Sequence, residues 1–555
     1  MKTLGKTTGL RHWMGQVLAE CEHVAADFSP DPVHDLRVAL RRCRSLADGM
    51  IAIDPGRDWK AMKKAGKKLF QRLGALRDVQ IMMEWIDKLH PAHRETASAD
   101  GVADPTSAVP EETYASREFA EVETMEPAEP QQHDPAQALL AILRGREIEQ
   151  KREARAALEE FDRKQWKQWC KTLPLRAARV RPGSAVFKHL ALERWTDARE
   201  LHTRALRNRS QVAFHTLRIG IKRFRYIVEN FLPTEHKAWS DDLKHLQDLL
   251  GEVHDLDVLW ATALACRVFP DEESRKRWHA RIVEERTRRI DEYRQKTVGE
   301  HSLWNVWRAG LPQGKQVSAI AKQRMRLWAK ALDPDFAHSE RVATLAVELY
   351  DGLVAAGLLQ SGAPGSENDE DARFSVQIAA LLHDVGKSAA NKGHHKESYE
   401  LIRNHGSPLG WKPEYLQRAA AVARFHAGAL PTRSHKALRD LLPEEQRITI
   451  QLAAILRLAN AFDDAHDGHI GRVRIENVNI PKRRANGFLR KPTKLAPNEA
   501  VVIGAEGFIA GSSTAQAVAA ERYLLETVLR RPVSVRAMKA AMPRRVVIEP
   551  RKIAS

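Results

Sequence analysis

Residues 33–45 read VHDLRVALRRCRS, and residues 214–226 read FHTLRIGIKRFRY. In the first stretch His34, Arg37, Arg41 and Arg44 follow at steps of three, four and three, and His215, Arg218, Lys222 and Arg225 repeat those steps in the second. Such spacing puts four cationic or protonatable groups on one helical stripe. One position earlier, Val33, Leu36, Leu40 and Cys43 form an apolar stripe, matched by Phe214, Leu217, Ile221 and Phe224. Each helix therefore has a seam to bury directly beside a basic seam. Further along, LGALRDVQIM (73–82) and LGEVHDLDVL (250–259) align at an offset of 177, with Gly74 and Asp78 facing Gly251 and Asp255. One helical unit has been doubled.

WKAMKKAGKKLFQR, upstream of the first L-G-x-x-x-D segment, adds Lys60, Lys64 and Lys67 on another basic face; only Lys237 and Lys244 answer to Lys60 and Lys67 in the second copy. A single basic stripe is ordinarily a solvated helix face. Two related stripes ask for more, because like charges three and four residues apart repel by roughly 0.2–0.5 kcal/mol per pair. A fold that gathers several such helices needs counter-anions. The stripes hold few aromatics, Tyr226 excepted, and base stacking would want aromatic platforms. The expected ligand is a flexible polyanion, with nucleic acid as second choice.

The 555 residues suit two or three domains, and a formal net charge of +17 with a pI near 9.7 favours a polyanionic partner. The charge is uneven. Thr96 to Pro130 carries nine acidic residues against Arg117 alone, a local −8 that leaves +25 for the remainder. Residues 92–135 are rich in Ala, Pro, Ser, Thr and Glu and read as a disordered acidic insertion. Helical patterning resumes at Ala136, and residues 174–187 read as a turn before the second copy. Four scattered cysteines fit a reducing compartment. No stretch resembles a signal peptide or a membrane span, so a cytoplasmic protein is expected.

The second half carries different chemistry. DPDFAHSERVATLAVELYDGL opens a helix with His338 in its first turns, SVQIAALLHDVGK ends a helix at His383 and Asp384, and ITIQLAAILRLANAFD delivers Asp463. Two imidazoles and two carboxylates from separate helices make a divalent site with coordination positions left open. Burying them on apolar helices is costly unless they are paired or metal-bound. His338, His383, Asp384 and Asp463 are the expected ligands. His395 and His426 are candidates for a second ion bridged by Asp384, with His394 as the substitute for His395, and His405, His435, His466 and His469 are read as bystanders. The spacing does not select among Mn, Mg, Fe, Co, Ni and Zn.

VHDLRVALRRCR, FHTLRIGIKRFRY and the two L-G-x-x-x-D segments resemble the CHAD family, the conserved-histidine α-helical domain. The resemblance implies a pair of four-helix bundles around a basic channel that binds inorganic polyphosphate, placing the protein near polyphosphate granules. The implied contacts are His34, Arg37, Arg41, Arg42, Lys60, Lys64, Lys67, His215, Arg218, Lys222 and Arg223. LLHDVGK, HHKESYELIRNH, VARFHAG and LRLANAFD resemble the HD superfamily of metal-dependent phosphohydrolases, within it the C-terminal region of exopolyphosphatase/guanosine-pentaphosphatase proteins. That resemblance implies catalytic roles for Asp384, Lys387 and Arg457, the last two as phosphate contacts. The actin-like domain associated with polyphosphatase chemistry in those proteins has no counterpart in the motifs here, so their activity does not transfer directly.

The expected fold is mainly α: duplicated helical bundles over 8–300 with the insertion at about 92–135, a linker helix over 301–330, an HD-type domain over 331–470 and a small α+β cap over 471–555. Three functions remain open: a polyphosphate-binding phosphohydrolase, a non-catalytic polyphosphate-binding protein, and a hydrolase of a nucleotide such as ppGpp regulated by polyphosphate.

Overall fold

The computed structural model describes residues 9–26, 28–89, 134–359, 365–439, 441–476 and 499–538. It is mainly α-helical with one small sheet near the C-terminus. The chain divides into two compact units, Met1–Ala52 with Arg57–Gly314, and Ile53–Gly56 with Lys315–Ser555.

The first unit contains α1 (Leu10–Ala26), α2 (Pro30–Ile51), α3 (Arg57–Ala65), α4 (Lys67–Leu89), α5 (Pro135–Glu159), α6 (Arg163–Ala177), α7 (Ala185–Asn208), α8 (Gln211–Phe231), α9 (Pro233–Ala265), α10 (Glu272–Thr297) and α11 (Leu303–Ala309). The duplication is visible in the packing. In the first copy α1 packs on α2 and α4 on α5; in the second α7 packs on α8 and α9 on α10. The copies meet through equivalent helices, α2 on α8 and α4 on α9. Both apolar seams are buried, Val33, Leu36, Leu40 and Cys43 completely so, and each such large side chain contributes roughly 1.5–3 kcal/mol. The 33-residue α9 answers to α3 and α4 together.

The acidic insertion lies outside the described residues up to residue 133. Asp134 then caps α5, its carboxylate accepting from the Ala136 amide at 2.9 Å, with Pro135 in the first turn where its missing N–H costs nothing. The turn expected over 174–187 is shorter, because α6 runs through Pro174 to Ala177 and α7 begins at Ala185. Where one linker helix is expected over 301–330 there are two, α11 and the first helix of the next unit. Gly310 ends α11 against Trp239, and a Cβ there would stand 2.6 Å from the indole.

The second unit contains α12 (Lys315–Leu332), α13 (Phe336–Ala355), α14 (Glu367–Leu382), a 3-10 turn Val385–Ser388, α15 (His394–His405), α16 (Pro413–Arg424), α17 (Lys436–Arg439), α18 (Pro443–Phe462), β1 (Arg472–Ile475), β2 (Val501–Glu506), α19 (Ser513–Leu529) and β3 (Val533–Met538). Helices α13, α14, α16 and α18 pack on one another around a core rich in Ala, Leu and Val. The sheet runs β1-β2-β3, antiparallel with Val473 opposite Ala505 and parallel with Ile503 beside Val535. Helix α19 packs on α18 and β1 on α13, so the cap shares the core of the helices that carry the site. Among the described residues no helix is long and apolar enough to cross a membrane.

Candidate metal centre and basic cluster

In the first unit the cations of both copies share one field. Arg37 on α2 stands 3.9 Å from Asp78 on α4. Burial raises the Asp78 carboxyl against the pull of Arg37, Arg218, Lys222 and Arg77. Its equivalent Asp255 on α9 is pushed up to about 6 by burial, with Arg218 and Arg37 opposing and Asp78 and Glu252 adding. Burial pushes the Lys222 amine down to about 8, helped by Arg218, Arg41 and Arg37. His34 is lowered by burial and by Arg77 and Arg41. Across the pseudo-repeat, Arg77 occupies the place of His254, whose Nδ1 lies 3.3 Å from that of His215. The sequence reading overlooked both residues, although the 177-residue offset that pairs Asp78 with Asp255 also pairs Arg77 with His254.

Other expected contacts point elsewhere. Arg42 forms an ion pair with Glu229 and lies over the Trp13 ring at 5.3 Å, so its charge already has a partner. Lys60, Lys64, Lys67 and Arg223 are exposed.

In the second unit three histidines are set in the same way. His383 Nδ1 donates to the Ala380 carbonyl at 2.7 Å, His426 Nδ1 to Ala423 at 2.7 Å, and His394 Nδ1 to Asn391 at 3.1 Å. A carbonyl only accepts, so each Nδ1 carries the proton and each Nε2 is turned to the centre. Those Nε2 atoms lie 3.4, 3.7 and 3.2 Å from the Asp384 carboxylate respectively. Lys387 Nζ reaches the same group at 2.5 Å. Burial alone would raise Asp384, but His383, His394, His426 and Lys387 outweigh it and hold the carboxyl well below its usual range. Burial lowers the imidazoles of His383 and His426 from their usual range.

Gly386 permits this closeness. A Cβ there would stand 2.2 Å from the His394 carbonyl, so only glycine lets the turn after His383 meet the start of α15. Ser398 locks the junction, accepting from the Gly386 amide at 2.9 Å and donating to the His383 carbonyl at 2.5 Å.

His338 presents Nε2 at 3.9 Å from Asp384 and donates Nδ1 to Asp463 at 2.7 Å. Asp463 also accepts from Arg341 Nε at 2.9 Å and from the Gly468 amide at 3.0 Å. Two groups of donor atoms are thus compact enough for an ion, His338 with His383 and Asp384, and Asp384 with His394 and His426. Asp463 joins them through His338. The fit to a divalent ion is good: His383 Nε2 is completely buried with no hydrogen-bond partner among the described residues, a costly state that a metal would relieve.

Four expectations change. Asp463, expected as a direct ligand, stands on His338 Nδ1 and lies outside both donor groups. His394, not His395, faces Asp384; neighbours on a helix diverge by ~100°, so only one can. His466, read as a bystander, stacks on His338 at 3.8 Å and bonds Asp335 at 2.7 Å. Arg457 pairs with Glu521 on α19 and donates to the Phe425 and Gly428 carbonyls at 3.2 and 2.8 Å, which ties the cap to the helices rather than leaving a charge for phosphate. Arg341 was missed, though its place three residues after His338 puts it on the same helix face.

A family model described as the CHAD domain matches residues 8–264, and one described as Ppx/GppA phosphatase, domain III, matches residues 323–496. No curated protein matches the chain. The chain thus joins a CHAD domain to a domain III of the Ppx/GppA phosphatase type, in that order.

Proposed function

We propose that the CHAD unit binds inorganic polyphosphate and that the second unit is a divalent-metal-dependent phosphohydrolase of HD type, acting in polyphosphate metabolism. The observation that carries the reading is the triple histidine setting, three Nε2 atoms turned by backbone carbonyls onto one ionised carboxylate with His383 Nε2 unpartnered. His338, His383, Asp384, His394 and His426 would hold one or two ions. A divalent ion bound there lowers the pKa of water and polarises a phosphoryl oxygen. Asp463 and Arg341 orient His338, and Lys387 supplies positive charge beside Asp384. Arg37, Arg41, Arg218 and Lys222 would grip the polyanion, with His34 and His215 alongside.

The test is phosphate release from long-chain polyphosphate with Mn²⁺, Mg²⁺, Co²⁺ or Ni²⁺, against the Asp384→Ala variant. Release that disappears in the variant supports the reading. Release that survives in it removes the site from the chemistry. Binding of polyphosphate without release in any metal would leave a binding protein whose second unit acts on another substrate.

A further inference from the structure

Among the described residues, Lys387, Arg457 and Arg424 stand near the His394–Asp384–His426 group, and the first two already have anionic partners. Lys387 lies on Asp384. Arg457 lies on Glu521. Arg424 differs. It is the last residue of α16, two before His426, and its Nη1 is buried with no hydrogen-bond partner among the described residues. Burial lowers its guanidinium from the usual arginine range. The Phe425 ring, 5.4 Å from Cζ, holds the guanidinium in place.

His395 stands near the same segment, its ring centroid 6.2 Å from that of His426. The ring is turned away from Asp384 and closed in by the loop after α16, where Gly428 at φ +74° leaves only 3.1 Å between a would-be Cβ and the imidazole. Burial lowers the imidazole, and Arg424, His394, Lys396 and Arg457 push it the same way. A buried N–H without an acceptor, in a field of one sign, is completed by an anion. A guanidinium fork matches the oxygens of a phosphoryl group, which it can bind through two parallel bonds.

We propose that Arg424 and His395 form an anion subsite for a phosphoryl group beside the candidate metal centre, Arg424 clamping its oxygens and His395 adding a polar contact. Assigning that phosphoryl group to the substrate rests on the phosphohydrolase reading; the anion site itself does not. The subsite takes the phosphate-contact role that the family resemblance implies for Arg457.

The experiment is arginine labelling of the full wild-type chain with phenylglyoxal, read peptide by peptide, in chloride or in inorganic pyrophosphate at equal ionic strength. Arg424 should label about tenfold more slowly in pyrophosphate, the occupancy expected for a charge-assisted clamp, while exposed Arg433 labels at the same rate in both. Equal labelling of Arg424 in both salts overturns the proposal. Cobalt absorption spectra provide the second arm. The Arg424→Gln variant should show the wild-type Co²⁺ spectrum and need about tenfold more phosphate to perturb it. An unchanged phosphate requirement also counts against the subsite. Protection of Arg424 in a protein that binds no Co²⁺ would keep the subsite and sink the metal reading instead.

Discussion

In the CHAD unit, Arg37, Arg41, Arg218 and Lys222 press positive charge around two carboxyls raised by burial, Asp78 and Asp255. In the phosphatase-family unit one carboxylate, Asp384, is met by three imidazoles and a lysine. The first centre has an excess of cations, Lys222 and Arg37 among them lowered by burial and by neighbouring cations, and a polyanion that entered would offset that charge. The second is buried and nearly balanced, and what it lacks is a partner for lone pairs on nitrogen. An excess of charge selects ligands by charge and length, whereas oriented lone pairs select by coordination chemistry. The two centres should therefore fail independently and under different conditions.

The sharpest separation should come from Asp384→Ala. It should abolish metal-dependent phosphate release and metal binding, followed by equilibrium dialysis, while polyphosphate affinity stays as in wild type. Loss of both functions together would break the comparison. The reciprocal variant, Arg37→Glu with Arg218→Glu, should weaken polyphosphate binding by about 100-fold, since each reversal removes a charge-assisted contact and adds a repulsion. Its metal content should not change, and in wild type the affinity should fall steeply between low and high salt. A flat salt response would point to a small ligand.

Next in size is Gly386→Ala. The added methyl meets the His394 carbonyl, so the start of α15 must shift, at a cost of about 2 kcal/mol or more. Thermal unfolding should show the second unit destabilised and metal affinity reduced, with the polyphosphate site untouched. The smallest effect concerns pH. Lys222, at about 8, gains its charge as pH falls through that value, and Asp255, at about 6, loses its negative charge as pH falls further. Both changes make the cluster more positive, so polyphosphate affinity should rise from pH 9 to pH 5 at constant ionic strength. Asp255→Asn should flatten the part near pH 6 by a factor of a few, about 1 kcal/mol or less.

What was legible in the chain is what periodicity encodes. The basic and apolar seams of 33–45 and 214–226 follow from steps of three and four on a helix, a local geometry that needs no tertiary information. The doubled L-G-x-x-x-D segments announced the repeat for the same reason. The ordered set of His338, His383-Asp384 and Asp463 on three apolar helices pointed to a buried ionisable cluster because apolar surroundings tolerate such groups only when they are paired or bound to metal.

Only the tertiary structure decided which groups meet. Adjacent His394 and His395 are equivalent in sequence, and the close passage of Gly386 under α15, with Ser398 bridging it, is what turns His394 inward. The charge of Arg457 was readable but its partner was not, since Glu521 lies 64 residues away on a helix of the cap. Arg424 looked like any helix-ending arginine until the fold showed its Nη1 buried without an acceptor among the described residues. The convergence of Arg37 with Arg218 likewise depends on α2 packing against α8. Side-chain type and local period are properties of neighbouring residues, whereas pairing, burial and the sign of the local field come from segments far apart in the chain.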